Sequence, residues 1–312
     1  MTTPSPRRHQ HVAVLMGGWS AEREVSLSSG RGCADALEAE GFRVTRVDVD
    51  RHLAQTLVDL APDVCFNALH GRWGEDGCVQ GLLEVLGMPY THSGVLASSV
   101  AMHKEQTKAI VATLGVPVAD ARMVTPQEAL AAHVLAPPYV AKPIAEGSSV
   151  GVVIVADGAN RPPDTIAAIP VTRDGRIMVE RFVAGRELTC GVIGDRVTRI
   201  IDIVAAGHLT FYDYEAKYAP GGSEHILPAR IPAHVAEAIQ RHTATAHRGL
   251  GCRGVSRSDF RWDEATDDLV FLEINTQPGM TPTSLIPELA ADVGMTYGQL
   301  VAWLVGDASL DR

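Results

Sequence analysis

Val12-Ala-Val-Leu-Met16 is an unbroken apolar run that halts at Gly17-Gly18. A strand that is apolar on both faces has to be covered on both faces. Parallel sheets with helices packed on each side meet that condition. Residues 24 to 40 predict the first such helix, with Val25, Leu27, Ala34 and Leu37 in its apolar stripe and Gly41 at its C-cap. Phe42–Val49 alternates as a strand does, Val64–Leu69 reads as a third strand, and Val79–Leu86 reads as a helix. This β-α-β-β-α order predicts a small doubly wound α/β domain, which binds ligands at the carboxyl ends of its strands. Two loops fall at those ends, Gly17 to Glu24 and His70 to Gly77.

The remainder is built differently. Val95 to Leu114 reads as one helix, closed by Gly115 and Pro117, and proline-bearing stretches follow around Pro126 and Pro137-Pro138. Strands are predicted at Tyr139–Ile144 and Val152–Val155. Antiparallel strands with glycine turns are predicted at Arg176–Val183, Glu187–Ile193 and Val197–Ala205. A helix over His234–Leu250 precedes a hairpin, Val255–Trp262 and Asp268–Asn275, and helices over Ser284–Ala291 and Tyr297–Val305 end the chain. The fold class is therefore α/β first and α+β later. At about 150 residues per domain, 312 residues give two domains or three small ones.

Composition narrows the function classes. Hydrophobic residues at 46% and charged residues at 21% describe a globular chain, not a disordered one. A net charge of −10 argues against a general nucleic-acid binder and leaves small anions open as ligands. No apolar run approaches the roughly 18 residues of a membrane helix, and the polar start lacks a signal-peptide core. Cys33, Cys65, Cys78, Cys190 and Cys252 form no C-x-x-C pair, so they read as free thiols of a reducing compartment with no zinc site. The expectation is a cytoplasmic protein without nucleic-acid or membrane partners.

The final hairpin is the strongest chemical signal. Residues two apart on a strand share a face. If the turn centres near Thr266, Asp259 lies opposite Glu273 and Arg257 opposite Asn275, with Phe260, Val270, Leu272 and Ile274 facing the core. Two carboxylates across a ladder repel each other. A hard divalent cation resolves the conflict, and Asp, Glu and Asn oxygens suit Mg²⁺. The plainer alternative is an exposed hairpin face with a chance charge pair.

Two further loops are suggestive. Lys142 precedes Glu146-Gly-Ser-Ser-Val-Gly151, whose small residues let backbone N–H groups approach an anion, although a plain hairpin turn has the same composition. Glu22 follows Gly17-Gly18 at the carboxyl end of the first strand, where it is either a ligand-binding acid or a helix-capping one. The G-x-G-x-x-G fingerprint of dinucleotide-binding dehydrogenases is missing.

Taken together, GGWSAEREVSL (17–27), HGRWGEDGCVQG (70–81), KPIAEGSSVG (142–151), FYDYEAKY (211–218), SRSDF (256–260) and LEINTQPGMTPTSL (272–285) resemble, in order, the D-alanine–D-alanine ligases of the ATP-grasp superfamily. The resemblance implies three domains: an N-terminal α/β domain over 1–100, a central ATP-grasp subdomain over 101–183 and a C-terminal catalytic domain over 184–312, with ATP held between the last two. It implies ATP-dependent joining of two D-alanines through an acyl phosphate for peptidoglycan precursor synthesis, and a homodimer.

By the same resemblance, Lys104 and Lys142 contact ATP phosphates, Ser148 belongs to the ATP site, Glu180 and Glu187 hold adenine and ribose, and Arg181 and Val183 offer backbone contacts. Phe211 and Lys217 belong to the nucleotide site. Asp259, Glu273 and Asn275 ligate two Mg²⁺, with Mn²⁺ as a substitute. Glu22 binds the first ammonium, with His70 nearby, and Arg257 and the Gly279 N–H hold the first carboxylate and then the oxyanion. Ser284 and Leu285 hold the second D-alanine. Ser148 and Tyr218 link to Glu22 as a loop closes.

An acyl phosphate hydrolyses readily, so segments 146–151 and 207–224 are expected to act as lids. His103 and Gln277 depart from, or vary within, the family pattern. Alternatives are a ligase that takes D-serine or D-lactate second, which Lys217-Tyr218 disfavours, and an inactive nucleotide-binding sensor on the same fold.

Overall fold

Strand β1 (His11–Gly17) is buried along its whole length. It pairs in parallel with β2 (Arg43–Val49) and β3 (Val64–Asn67), in the order β2-β1-β3. The apolar run at 12–16 follows from what covers each face. Val12 and Val14 pack with Cys33 and Leu37 of α1 (Arg23–Ala39) on one side. Ala13 and Leu15 pack with Leu57 of α2 (Leu53–Leu60) and Leu83 of α3 (Cys78–Leu86) on the other. The structure is a computed structural model that describes residues 10–147, 150–205 and 222–311.

The helix expected over 95–114 is two helices. α4 (Val95–Met102) stops at His103, whose backbone is extended at φ −95° and ψ 95°, and α5 (Lys104–Thr113) starts anew. His103 caps α5 by accepting a hydrogen bond from the Gln106 N–H. The break turns the Lys104 N–H out of the helix to the Ile144 carbonyl, at 2.9 Å.

A four-stranded antiparallel sheet follows, in the order β4-β7-β5-β6. Its strands are β4 (Ala121–Val124), β5 (Tyr139–Lys142), β6 (Val153–Val155) and β7 (Ile177–Arg181). Its core holds Tyr139, Ile166 and Val179 beneath α6 (Pro126–Ala131). Thr125 and Glu128 open α6 with a reciprocal capping box.

The third sheet is antiparallel, in the order β10-β9-β8-β11-β12. It comprises β8 (Arg186–Ile193), β9 (Arg196–Ala205), β10 (Ser223–Ile226), β11 (Val255–Asp263) and β12 (Asp268–Asn275). Helix α7 (Ala233–Gly249) covers one face, with Ile239 and Ala246 against Leu188, Phe260 and Phe271. The other face meets α8 (Leu285–Asp292) and α9 (Tyr297–Asp307). Those two helices also close the Val12–Leu37 side of the first sheet, so one apolar cluster joins the first strand to the last helix. Among the described residues no helix is long and apolar enough to cross a membrane.

Candidate active site

The β11–β12 ladder pairs Asp259 with Glu273 and Arg257 with Asn275, the register that strand alternation predicts. It then shifts: Phe260 pairs with Phe271 and Arg261 with Val270, leaving Leu272 as the extra residue of a β-bulge. The bulge corrects the expected apolar face. Phe260, Phe271 and Ile274 enter the core, whereas Val270 and Leu272 join the Asp259–Glu273 face and pack with Ala119 and Val183. The sequence carries no signal for this shift, because a one-residue insertion leaves the run Leu-Val-Phe-Leu unchanged.

Two neighbouring cavities meet on that face. The larger, about 520 Å³, is lined by Glu22, His70, Arg257, Gly279, Ser284 and Leu285 among others. The smaller, about 90 Å³, lies between the second and third sheets and is lined by Lys142, Glu180, Arg181, Val183, Glu187, Asp259, Val270 and Leu272. Lys104, Glu146 and Glu273 line both. Asn275 lines the larger cavity only.

Side-chain cations already neutralise the paired carboxylates. Arg257 donates two hydrogen bonds to Asp259, at 2.9 and 2.7 Å, and Thr189 Oγ1 donates to Asp259 Oδ1 at 2.6 Å. Lys104 Nζ lies 3.0 Å from Glu273 Oε2 and donates to the Glu146 carbonyl at 2.8 Å. Asn275 Oδ1 accepts the Gln277 N–H at 2.8 Å. Asp259, Glu273 and Asn275 thus present hard oxygen donors from alternate rungs of the ladder. That donor chemistry fits Mg²⁺, a hard cation that favours carboxylate and amide oxygens. Among the described residues there is no cluster of three or more His, Cys, Asp or Glu side chains that resembles a closed metal cage.

Glu180 is almost fully buried, and its carboxylate is clasped by Lys108 and by Lys142, the latter at 2.5 Å. Burial by itself raises the Glu180 pKa, but the charges of Lys142 and Lys108 outweigh it and hold the carboxyl below its ordinary range. Burial pushes the Lys108 ammonium down to about 8, against the pull of Glu180. Lys108 also donates to the Phe271 carbonyl at 3.1 Å. Sequence reasoning missed Lys108. Its signal was its place four residues after Lys104, on the same helix face.

Arg181 spends its backbone N–H on the Asp120 carbonyl and its guanidinium on Asp268. The Val183 carbonyl accepts from Arg261 Nε at 3.2 Å, and Arg261 also faces Glu187 at 3.6 Å.

At the other end, Glu22 precedes α1 without capping it through its side chain. Its carboxylate instead lies against two glycines: a Cβ on Gly71 would sit 2.3 Å from Glu22 Oε2, and one on Gly147 would sit 3.3 Å away. His70 is fixed by Ser29 Oγ at Nε2, 3.0 Å, and by Glu75 Oε1 at Nδ1, 3.3 Å. Gly279 leaves room for Ser284 Oγ, which would stand 3.0 Å from a Cβ there. Ser284 Oγ in turn accepts the Thr281 N–H at 3.1 Å. Leu285 is buried beside it. Of the residues singled out in the sequence, Ser148, Phe211, Lys217 and Tyr218 lie outside the described residues, as do 148–149 of the first expected lid segment and 207–221 of the second.

Comparisons with known proteins identify the family. Residues 99–306 match the model of the D-ala D-ala ligase C-terminus, and residues 54–93 match that of the N-terminus. The chain is 58% identical to a D-alanine--D-alanine ligase of Parvibaculum lavamentivorans, over 97% of this chain and 99% of that protein. It is 56% identical to one of Chelativorans, over 98% and 100%. Among solved structures, a D-alanine--D-alanine ligase from Bacillus anthracis complexed with ATP superimposes with a TM-score of 0.77 at 29% identity, covering 96% of each chain. The VanG D-Ala:D-Ser ligase from Enterococcus faecalis gives 0.78 at 27%, covering 96% of this chain and 99% of that one. With its mixed helix-and-sheet ATP-grasp fold, the chain belongs to the D-alanine–D-alanine ligase family.

Proposed function

We infer that this protein is an ADP-forming ligase that joins two D-alanines to D-alanyl-D-alanine, the dipeptide used in peptidoglycan synthesis. The observation that carries the reading is the pair of cavities that share Lys104 and Glu273. One has apolar walls, at Val183, Val270 and Leu272, and a lysine, Lys142, as a nucleotide site needs. The other has an acid, Glu22, and a base, Arg257, as an amino-acid site needs. The reacting phosphate belongs where the two meet.

The chemistry follows from charge. The D-alanine carboxylate and the γ-phosphate are both anions, and Lys104 and Lys142 lower the repulsion between them. Glu180, engaged by Lys108 and Lys142, acts through Lys142 by fixing its ammonium. Asp259, Glu273 and Asn275 are the residues that would hold two Mg²⁺, or Mn²⁺ in their place, and the ions when bound supply further neutralisation and polarisation of the phosphates. Glu22 receives the first D-alanine's ammonium, with His70 beside it.

Attack of the first carboxylate on the γ-phosphorus breaks the bond to ADP and leaves an acyl phosphate. The second D-alanine, held at Ser284 and Leu285, gives up an ammonium proton and adds to that carbonyl as the free amine. Arg257 and the Gly279 N–H stabilise the oxyanion until phosphate departs. Ser148, Tyr218, Lys217 and Phe211 complete the site in this reading. In the same reading the chain divides into domains at 1–100, 101–183 and 184–312 with ATP between the second and third, and the protein is a cytoplasmic homodimer.

The test is phosphate release from Mg-ATP with D-alanine, with L-alanine and with neither, and product identification by mass. D-alanine-dependent release with dipeptide as product is the expected result. A D-alanyl-D-serine or D-alanyl-D-lactate product that exceeds the dipeptide in mixed-substrate reactions moves the assignment to a variant ligase. ATP binding without turnover on any D-amino acid overturns this assignment in favour of the nucleotide-binding sensor or another carboxylate–amine ligase.

A further inference from the structure

Gln277 sits in the turn after β12, two residues past Asn275 and two before Gly279. It is 1% exposed, and its side chain leaves the third sheet altogether. Its Nε2 donates to the backbone carbonyl of Asn67, at the end of β3 in the first sheet. In return Asn67 Nδ2 donates to Gln277 Oε1 at 3.3 Å. The orientation of the Gln277 amide is fixed by chemistry, since the Asn67 carbonyl only accepts.

The contact continues into the loop that carries the first-substrate groups. Asn67 Nδ2 also donates to the Gly74 carbonyl at 2.9 Å, and Gln80 Nε2 donates to the same carbonyl at 2.8 Å. Asn67 Oδ1 accepts the Leu69 N–H at 3.1 Å. Gly74 in turn donates its N–H to Gly71, which faces Glu22, and Glu75 Oε1 holds both the Gly71 N–H and His70. At its own end Gln277 gives its N–H to Asn275 Oδ1. One buried residue therefore touches the oxygen of a candidate metal ligand through its backbone, and the His70–Glu75 loop, by way of Asn67, through its side chain.

We propose that Gln277 is a positioning residue that couples the nucleotide half of the site to the first-D-alanine half. The proposal rests on the ligase reading above. A buried amide pair is costly to leave half-made, so the two ends move as one unit or break apart together. Binding of Mg-ATP at Glu273 and Asn275 then favours the loop geometry that receives D-alanine. Linkage makes the preference mutual.

The experiment compares wild type with Gln277→Met, which keeps the length and loses both side-chain contacts while retaining the N–H to Asn275. The readouts are the Kd of a non-hydrolysable Mg-ATP analogue with and without D-alanine, and the KM of the first D-alanine. In the wild type D-alanine is expected to tighten the analogue severalfold. In Gln277→Met that ratio falls towards one and the KM rises about tenfold, while the Kd without D-alanine stays within twofold. Gln80→Met, which strikes the relay from the first-sheet side, is expected to move the ratio in the same direction by less. The double variant should fall short of the product of the two.

A lowered Tm with both ratio and KM unchanged assigns Gln277 to packing alone and overturns the proposal. So does a wild-type ratio of one, or an equal loss of analogue affinity with and without D-alanine. If Gln277→Met does not fold, Gln277→Glu and Gln80→Met decide by the same ratio. Failure of the wild type to make dipeptide counts against the ligase reading instead.

Discussion

Lys104 and Glu273 face each other at 3.0 Å across the boundary of two cavities, one contributed by the first turn of α5 and the other by the last strand of the third sheet. The pair exists because the chain breaks its helix at His103. A continuous helix from 95 to 114 would keep the Lys104 N–H inside its own ladder and remove the tie to Ile144.

Lys104→Met is therefore expected to lower kcat/KM for ATP by on the order of a hundredfold, the scale of losing one preorganised charge at a transferring phosphoryl group. Steady-state rates at saturating D-alanine check it. Unchanged rates would remove Lys104 from the phosphate site.

Gly71 has φ +69° and leaves no space for a side chain beside Glu22. Gly71→Ala is expected to displace the Glu22 carboxylate and raise the KM of the first D-alanine about tenfold, with stability lowered by about 1–2 kcal/mol from the left-handed backbone. Initial rates over a D-alanine series, together with urea unfolding, separate the two effects. A KM equal to wild type would show that Glu22 is not the ammonium site.

Removing one partner of a buried ion pair costs about 3–5 kcal/mol. Lys108→Met is expected near the lower end, because Glu180 keeps Lys142. Lys142 then turns further toward Glu180 and away from the phosphates, so affinity for an ATP analogue falls as well. Urea denaturation and calorimetric titration measure the two losses, and a stable variant with normal nucleotide affinity would refute the positioning role of Glu180.

His247, near the end of α7, is buried against Ser256, with Nδ1 2.7 Å from Ser256 Oγ. Burial, with Arg248 adding repulsion, pushes its pKa down to about 4. The unfolded chain takes up this proton near pH 6.5 and the folded one resists until about 4, so the unfolded state binds more protons in that window. Stability is complete above pH 6.5 and declines as pH falls toward 4, by on the order of 3 kcal/mol from this group. His247→Gln is expected to flatten that part of the profile in unfolding measured from pH 7 to 4. A profile identical to wild type would place the acid sensitivity elsewhere.

Much of the architecture could be read from residue patterns, and the exceptions share a cause. The apolar run at 12–16 and the alternation at 255–275 dictate strands because burial on two faces or on one leaves a direct mark on composition. Helix α2 went unread although Leu53, Leu57 and Leu60 recur at helical spacing, since eight residues are too few for the pattern to stand out. The Thr125–Glu128 capping box is legible in the letters, but Pro126 at its first helical position also reads as a break. The break at His103 and the bulge at Leu272 have no local signal. Both are set by what the backbone meets from other parts of the chain: Ile144 in one case, and in the other Val118, which bridges Phe271 in parallel. At the site, Asp259, Glu273 and Asn275 announced themselves by type and spacing, whereas Lys108 passed for an ordinary helix lysine. Val270, Leu272 and Gln277 did not stand out, because an apolar wall and a buried amide look like core until the neighbours are known.

The cluster that unites Val12, Val14 and Leu37 with Leu300 and Leu304 sets an order on synthesis. As the chain leaves the ribosome, the first sheet and α1 emerge early, but the apolar surface around Leu37 keeps its outer side bare until the last two helices have been made, more than two hundred residues later. The Tyr90 N–H likewise waits for the carbonyl of Ser309. The amino-terminal lobe is therefore an unfinished body for most of translation. A chain cut short before residue 297 leaves that surface without the part of its cover that Leu300 and Leu304 supply, even though every residue of the sheet is in place.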